Sequence, residues 1–443
     1  MTSFTAQFTP VRTGPHATQQ PSFPRHASTG LRTAGSVARR SGGQRLQTSH
    51  LPGLGLICAV AFVAAWSPRL AAIYGGLAAA IAILITWRPP RPRVADILAG
   101  LTAMWALTST LVGLADPSIT RVPAYLYASA LLVFLAARHV VRERAQLLPV
   151  ALAHLAGCAT TAVALITGAR DGGVQRDAIF DYNIRYGLDG ININYTSYTM
   201  VTGAILAVIL FRVGPASRAL RAALLGTLLV FAYAILLTGS KGATLALFLG
   251  ASFLVLARFG PQLMWTVVWV CVPVLILLIP LKAASSFQAG AQWLDGLFGR
   301  ETGDLSGRLE VWPIAASAWA EHPIAGMGPG VFRMDNPLQI GPHNLLLTVG
   351  TDLGLVGVIL YGGTVAAALA LAAKQAAQTG KVLAGFAVIT LLPVWMSGHW
   401  EQSQGAWLVL ALISTITVKD VVRRPGRHRL AAGGGPAGEF GRA

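Results

Sequence analysis

From residue 51 to residue 418 the chain alternates long apolar blocks with short polar breaks. About 20 apolar residues in helical form cross roughly 30 Å of hydrocarbon, and the pattern predicts twelve such helices. They lie near 51–66, 70–87, 94–114, 122–138, 146–168, 195–211, 221–238, 243–257, 264–281, 344–372, 382–398 and 404–418. The first is short, and the block from 344 is long enough to tilt or protrude. The short alternating segments of a membrane β-barrel are missing. The predicted fold class is therefore all-α and polytopic: one membrane domain over 51–418, without internal repeats. The tails 1–50 and 419–443, rich in Gly, Pro, Ser or Thr, read as disordered.

Composition agrees. Apolar residues make up 54% and charged residues 12%, with a mean hydropathy of +0.59; soluble domains carry roughly 25% charged residues. Cys58, Cys158 and Cys271 lie inside apolar blocks and read as packing residues. No CxxC or His/Cys cluster suggests a structural metal. The net charge of +17 resembles a nucleic-acid signal, but its distribution follows the positive-inside rule instead. With both termini cytoplasmic, 24 of the 34 basic residues fall on the inner side, which sets the orientation. The N-terminal tail is too long and polar for a cleaved signal peptide, so the first block is expected to stay as an anchor.

Two outer loops stand out. Residues 169–194 carry Arg170, Asp171, Arg176, Asp177, Asp181, Arg185 and Asp189, and residues 282–343 carry four basic and six acidic side chains. Within the second, Leu309, Val311, Trp312, Ala315, Ala316 and Trp319 suit a short amphipathic helix lying on the outer membrane face.

The candidate chemistry comes from four separate stretches at this outer edge. Arg185 precedes Asn192 and Asn194, and Lys241 lies in the turn Thr238-Gly239-Ser240-Lys241-Gly242. Arg308 stands four residues before Trp312, and His343 with Asn344 opens the long block. Taken singly, each has a plain reading. His343 suits the start of a helix, Arg308 an ion pair with Glu310 or Asp304, and Lys241 a snorkelling span end. Arg185 has aspartates in its own loop to pair with. His322 reads as a turn residue, and His399 with Glu401 as interface markers. Asp352, inside a span, is costly unless paired or wet. The Gly326, Gly328 and Gly330 run reads as a tight turn; the strand and helix of a nucleotide fingerprint are missing.

Read together, these stretches resemble the O-antigen ligase and Wzy-type polymerase superfamily. The resemblance rests on Gly307-Arg308, Trp312, the turn from Pro323 through Gly326, Gly328 and Gly330 to Phe332, His343-Asn344, and Gly350 through Gly354 to Gly357. The Thr238–Gly242 turn and the Arg185, Gly187, Asn192, Asn194 stretch also fit, and the specificity is concentrated in 306–357. The chain departs from the family at Lys241, where Arg is usual. Lys keeps the charge and loses the bidentate fork.

The resemblance implies a GT-C-like glycosyltransferase bundle with its large periplasmic loop before the tenth span. It implies transfer of a glycan from undecaprenyl diphosphate to a lipid A–core hydroxyl at the periplasmic face of the bacterial inner membrane. His343 would act as general base. Arg308, Lys241 and Arg185 would hold the diphosphate, and Asn344, Asn194, Ser240 and Trp312 would support them. No cofactor, metal or nucleic-acid partner is implied; besides the two substrates, the partners are membrane lipids. Three alternatives stay open: a polymerase elongating lipid-linked repeats, a protein O-glycosylation enzyme, and a lipid-linked glycan transporter or flippase. A transporter would favour ionisable groups deep in the spans, where the pattern offers almost only Asp352.

Overall fold

The computed structural model describes residues 51–86, 92–112, 116–169, 171–176, 184–188, 191–214, 217–276, 308–398 and 400–416. All lie in one unit, Leu46–Ala443. The tails, residues 282–307 of the second loop and His399 lie outside the described residues.

Each predicted apolar block is a helix: α1 Leu51–Trp66, α2 Pro68–Ile85, α3 Val94–Val112, α4 Pro117–Val140, α5 Arg144–Thr167, α6 Ile193–Val213, α7 Arg218–Thr238, α8 Lys241–Leu256 and α9 Pro261–Ile276. After α10 Arg308–Glu321 and α11 Val331–Asp335 come α12 Leu345–Gln375, α13 Ala377–Ser397 and α14 Gln404–Thr415. Eight of these are long and apolar enough to cross a membrane; α1, α8, α9 and α14 are shorter apolar helices. Leu77, Leu84, Leu111, Leu229 and Phe248 are exposed on the outside of the bundle, as expected where the solvent is lipid. The chain is a multi-pass membrane protein. To the helices the structure adds an antiparallel hairpin, β1 Asp171–Arg176 with β2 Ile184–Leu188, pairing Gln175 with Arg185.

The core is built around α6, α13 and α14. Every residue from Gln404 to Ser414 of α14 is buried. At 12 residues it is shorter than the roughly 20 that cross a bilayer unaided, and it is covered by protein along its length. Small residues let backbones approach: Gly157 abuts the Phe62 carbonyl, Gly203 abuts Cys158 and Phe231, and Gly250 abuts Thr390. This is the packing that lipid, offering no hydrophobic drive between helices, favours.

Helix direction separates two ends of the bundle. At one, Arg138 of α4 pairs with Asp96 of α3 (Nε to Oδ1 2.5 Å, Nη2 to Oδ2 3.2 Å) and donates to Ser414 Oγ of α14. Lys381 Nζ donates to Gln262 Oε1 at 3.0 Å. Arg142, Arg212, Arg218, Arg221, Arg258 and Lys374 lie at helix ends of this same side. The opposite end gathers the starts of α6, α8, α12 and α14 and the ends of α7 and α13.

One expectation is corrected. The block from 344 is not a single long tilted helix. α12 breaks at Gly354, whose φ of 64° and ψ of −165° belong to a region that essentially only glycine enters. The break strands backbone groups on both sides, and the glycine-rich turn satisfies them. Met327 and Gly328 N–H donate to the carbonyls of Thr351 (2.7 Å) and Asp352 (3.2 Å). Leu355 and Val356 N–H donate to the carbonyls of Pro323 (2.8 Å) and Ile324 (3.3 Å). Trp105 Nε1 takes the Leu353 carbonyl at 2.9 Å. Asp352 is paired after all: its carboxylate accepts from Gly330 N–H at 3.0 Å and from Tyr127 Oη at 3.0 Å.

A Cβ on Gly354 would collide with the Ile324 carbonyl, and one on Gly326 would lie 2.7 Å from the Asp352–Gly354 backbone. Gly354→Ala should therefore cost about 3 kcal/mol or more, seen as a markedly lower melting temperature in detergent. A variant as stable as the wild type would show that the break is not required.

Candidate active site

Arg185 leaves β2 and reaches the α7–α8 turn. Its Nε donates to the Thr238 carbonyl at 2.9 Å and its Nη2 to Asn194 Oδ1 at 2.8 Å. Both partners are neutral oxygens, so the guanidinium is held without losing its charge. Burial lowers its pKa from the ordinary value. Gly239 ends α7 with φ 60°, and the Arg185 side chain packs on it. Ser240 is buried at the N-cap position of α8, without a side-chain capping bond, while half-buried Lys241 is that helix's first residue. A cation at a helix N-terminus adds to the positive end of the dipole, an arrangement suited to an anion.

His343 sits between buried Pro342 and buried Asn344 with φ 51°, a left-handed conformation uncommon outside glycine. Asn344 caps α12: its Oδ1 accepts Leu347 N–H at 3.2 Å, and its Nδ2 lies 3.8 Å from Met396 Sδ. Trp312, buried in α10, donates Nε1 to the Pro342 carbonyl at 2.7 Å. The helix holding Trp312 begins at Arg308, which puts position 308 one turn before Trp312 along the same face. The side chain of Arg308 lies outside the described residues. α10 does not simply rest on the outer membrane face as expected. Val311, Trp312, Ala315, Phe332 and Leu347 form a small separate core, and Trp319 covers Gly350 of α12.

The last turn of α13 joins the two halves. Met396 meets the Asn344 cap. Ser397 Oγ shares a 2.8 Å hydrogen bond with Tyr198 Oη and packs on Gly242, next to Lys241. Trp395 lines an apolar groove of about 290 Å³ with Trp265 and Ile276 of α9 and Leu345, Val349 and Tyr361 of α12. The groove therefore begins directly after His343-Asn344. The folded chain brings Arg185, Asn194, Ser240, Lys241, His343, Asn344 and Trp312 to one end of the bundle.

Two ionisable residues depart from the sequence reading. Glu401, expected at the interface, is only 4% exposed. Its carbonyl accepts from Tyr361 Oη (3.1 Å) and Trp407 Nε1 (3.0 Å), because the α13–α14 turn dips into the bundle. The second is His154 of α5. It is fully buried, with Nδ1 2.9 Å from the Ala61 carbonyl and Nε2 2.9 Å from Thr202 Oγ1. Nothing in its apolar sequence surroundings marks it, since Thr202 lies on a distant helix. With both ring nitrogens bonded it reads as structural.

Burial, reinforced by the Asp352 charge, pushes the Glu401 carboxyl up to about 8 from 4.5. Between those values the native chain keeps a proton that the unfolded chain releases, so stability falls as pH rises through this window. Melting temperature in detergent should drop from pH 5 to pH 8.5, and Glu401→Gln should flatten that slope. An unchanged slope in the variant would contradict the assignment.

Residues 225–362 match the family described as O-antigen ligase. No curated protein matches the chain. The matched stretch runs from α7 through the first half of α12, so it contains Lys241, Arg308, Trp312, the glycine turn and His343-Asn344. Arg185 and Asn194 lie outside it and join the site through the fold. The helix break, the cationic turn and the His-Asn cap all lie inside that stretch, and over it this membrane protein is similar to the O-antigen ligase family.

Proposed function

We propose that the chain transfers a glycan from undecaprenyl diphosphate to a hydroxyl of lipid A–core at the periplasmic face of the inner membrane. The observation that carries this reading is the meeting of a cationic turn, a left-handed His343 and an apolar groove at one end of the bundle. The basic end of the bundle is then cytoplasmic, with both termini inside and twelve crossings in a GT-C-like arrangement.

In this reading the groove between α9, α12 and α13 takes the first isoprene units. The diphosphate lies against Arg185, Lys241 at the α8 N-terminus, and Arg308. The acceptor oxygen attacks the anomeric carbon from the face opposite the diphosphate. The new C–O bond forms as the bond to the diphosphate oxygen breaks, and that oxygen leaves with the electron pair. His343 takes the acceptor proton, the cations stabilise the charge building on the leaving group, and the anomeric centre inverts. The diphosphate already activates the sugar, so no nucleotide enters the reaction, and protein cations supply the charge neutralisation.

A polymerase would use the same groove and cations, with a lipid-linked repeat as acceptor. In a deletion strain, unligated long chains on the carrier mark a ligase; single repeats capping the core mark a polymerase. Buried Asp352 and His154 do not revive a transporter reading, since both are spent on internal hydrogen bonds.

Purified protein with polyprenyl-diphosphate glycan and lipid A–core, without nucleotide and with chelator, should place glycan on the core. His343→Ala and Arg308→Ala should each lower the rate by about 100-fold or more at equal membrane insertion. Lys241→Arg, which keeps the charge and restores the fork, should stay active. Normal transfer by His343→Ala would overturn its role, and longer chains on the carrier without core modification would make the protein a polymerase.

A further inference from the structure

A second cavity, of about 300 Å³, opens at the same end of the bundle and belongs to none of the groups used so far. It is enclosed by the α1–α2 turn, the start of α6 and the α13–α14 turn. Its character differs from that of the apolar groove. Asn192, Thr199, Thr202, Gln402, Ser403 and Gln404 contribute to its walls, and of the residues lining it only Arg69 carries a full charge. A polar cavity near the membrane is costly unless something polar fills it.

Its hydrogen bonds are partly spent. Thr202 Oγ1 is used by His154 at 2.9 Å. Gln404 Nε2 donates to the Ala71 carbonyl at 2.8 Å and to Ser129 Oγ at 2.7 Å. Two groups in the wall are buried with no hydrogen-bond partner among the described residues: the donor Trp400 Nε1 and the acceptor Gln404 Oε1. Trp400 is 3% exposed and Gln404 6%. An unmet donor and an unmet acceptor on residues of the same wall suit a ligand rich in hydroxyls, each of which both gives and takes a hydrogen bond. Tyr195 lines the cavity beside Trp400, their ring centroids 5.4 Å apart. Aromatic side chains of this kind pack on the C–H faces of sugar rings.

We propose that this cavity is a saccharide subsite that holds the terminal sugar of the acceptor; the acceptor role, though not the binding itself, rests on the transfer reading. The division of chemistry supports it. The apolar groove and the cations suit an isoprenoid diphosphate, whereas a nearly neutral cavity rich in hydroxyls and amides suits a polyol. The two are joined by one wall. Trp400 packs on Tyr198 as well, with centroids 5.3 Å apart, and Tyr198 holds Ser397 beside the Asn344 cap and His343. An acceptor sugar seated here would enter from the α1–α2 side, while the donor lipid enters from the α9 side.

The test uses full-length protein in nanodiscs and two probes: core oligosaccharide released from rough lipopolysaccharide, and a polyprenyl-diphosphate-linked glycan. Ala72→Trp fills the cavity from α2, and Gln402→Trp fills it from the opposite turn. Each should weaken oligosaccharide binding at least tenfold and leave donor-lipid binding within twofold. In transfer assays the acceptor KM should rise with kcat nearly unchanged. Wild-type-like oligosaccharide binding by both variants would overturn the proposal. So would an equal loss of both probes, or no oligosaccharide binding by the wild type. Oligosaccharide binding that both variants abolish, in a protein that transfers no glycan, would support the subsite and overturn the transfer reading.

Discussion

Within hydrocarbon a backbone N–H or C=O without a partner costs several kcal/mol, so a membrane helix can be interrupted only where something else meets its stranded groups. The break at Gly354 is such a place, and much of the structure follows from how it is satisfied. The Pro323–Gly330 turn lies along the break and donates to Thr351 and Asp352. It accepts from Leu355 and Val356, and it is pinned by Gly330 on Asp352. Those contacts seat α10 and α11 over the first half of α12. Trp312 can then reach Pro342 and hold the His343 turn. Gly326 and Gly354 sit in this block because side chains there would occupy the space of the paired backbone.

The His343 end of α12 and the Lys241 end of α8 would be unrelated without α13. Its last turn presents Trp395 to the groove, Met396 to the Asn344 cap and Ser397 to Tyr198 and Gly242 in three consecutive residues. A helix turns about 100° per residue, so adjacent side chains face different neighbours. Three neighbours on one turn fix the relative height of three helices. Arg185 is positioned similarly, by a hairpin outside the matched family stretch that brings a guanidinium to the carbonyl ending α7.

Much of this was legible in the chain. The helices follow from apolar blocks, and the two polar ends follow from where Arg and Lys fall. Arg185, Lys241 and His343 were identifiable as candidates because their stretches, read together, resemble one family; taken singly each had a plain reading. Other features were not legible. The hairpin has no strong alternating pattern, and nothing in the apolar run of α14 shows that its helix is only 12 residues long and buried throughout. Glu401 looks like an interface residue until the turn that carries it is seen to sink between Tyr361 and Trp407. The Gly354 break was concealed because a glycine inside an apolar run carries no mark of its backbone angles.

By itself, the sequence determined the solvent. Hydropathy and charge are properties of short stretches, and lipid acts on each stretch separately, so helix positions, the basic end and the residues able to carry charge are local facts. The tertiary structure alone decided which polar groups meet. Arg185 and Thr238 are 53 positions apart, Asn344 and Met396 are 52 apart, and Tyr127 and Asp352 are 225 apart. No local energy brings such pairs together. They meet because small residues set how closely the helices pack, and because a buried polar group in this medium must find its partner wherever the packing places one.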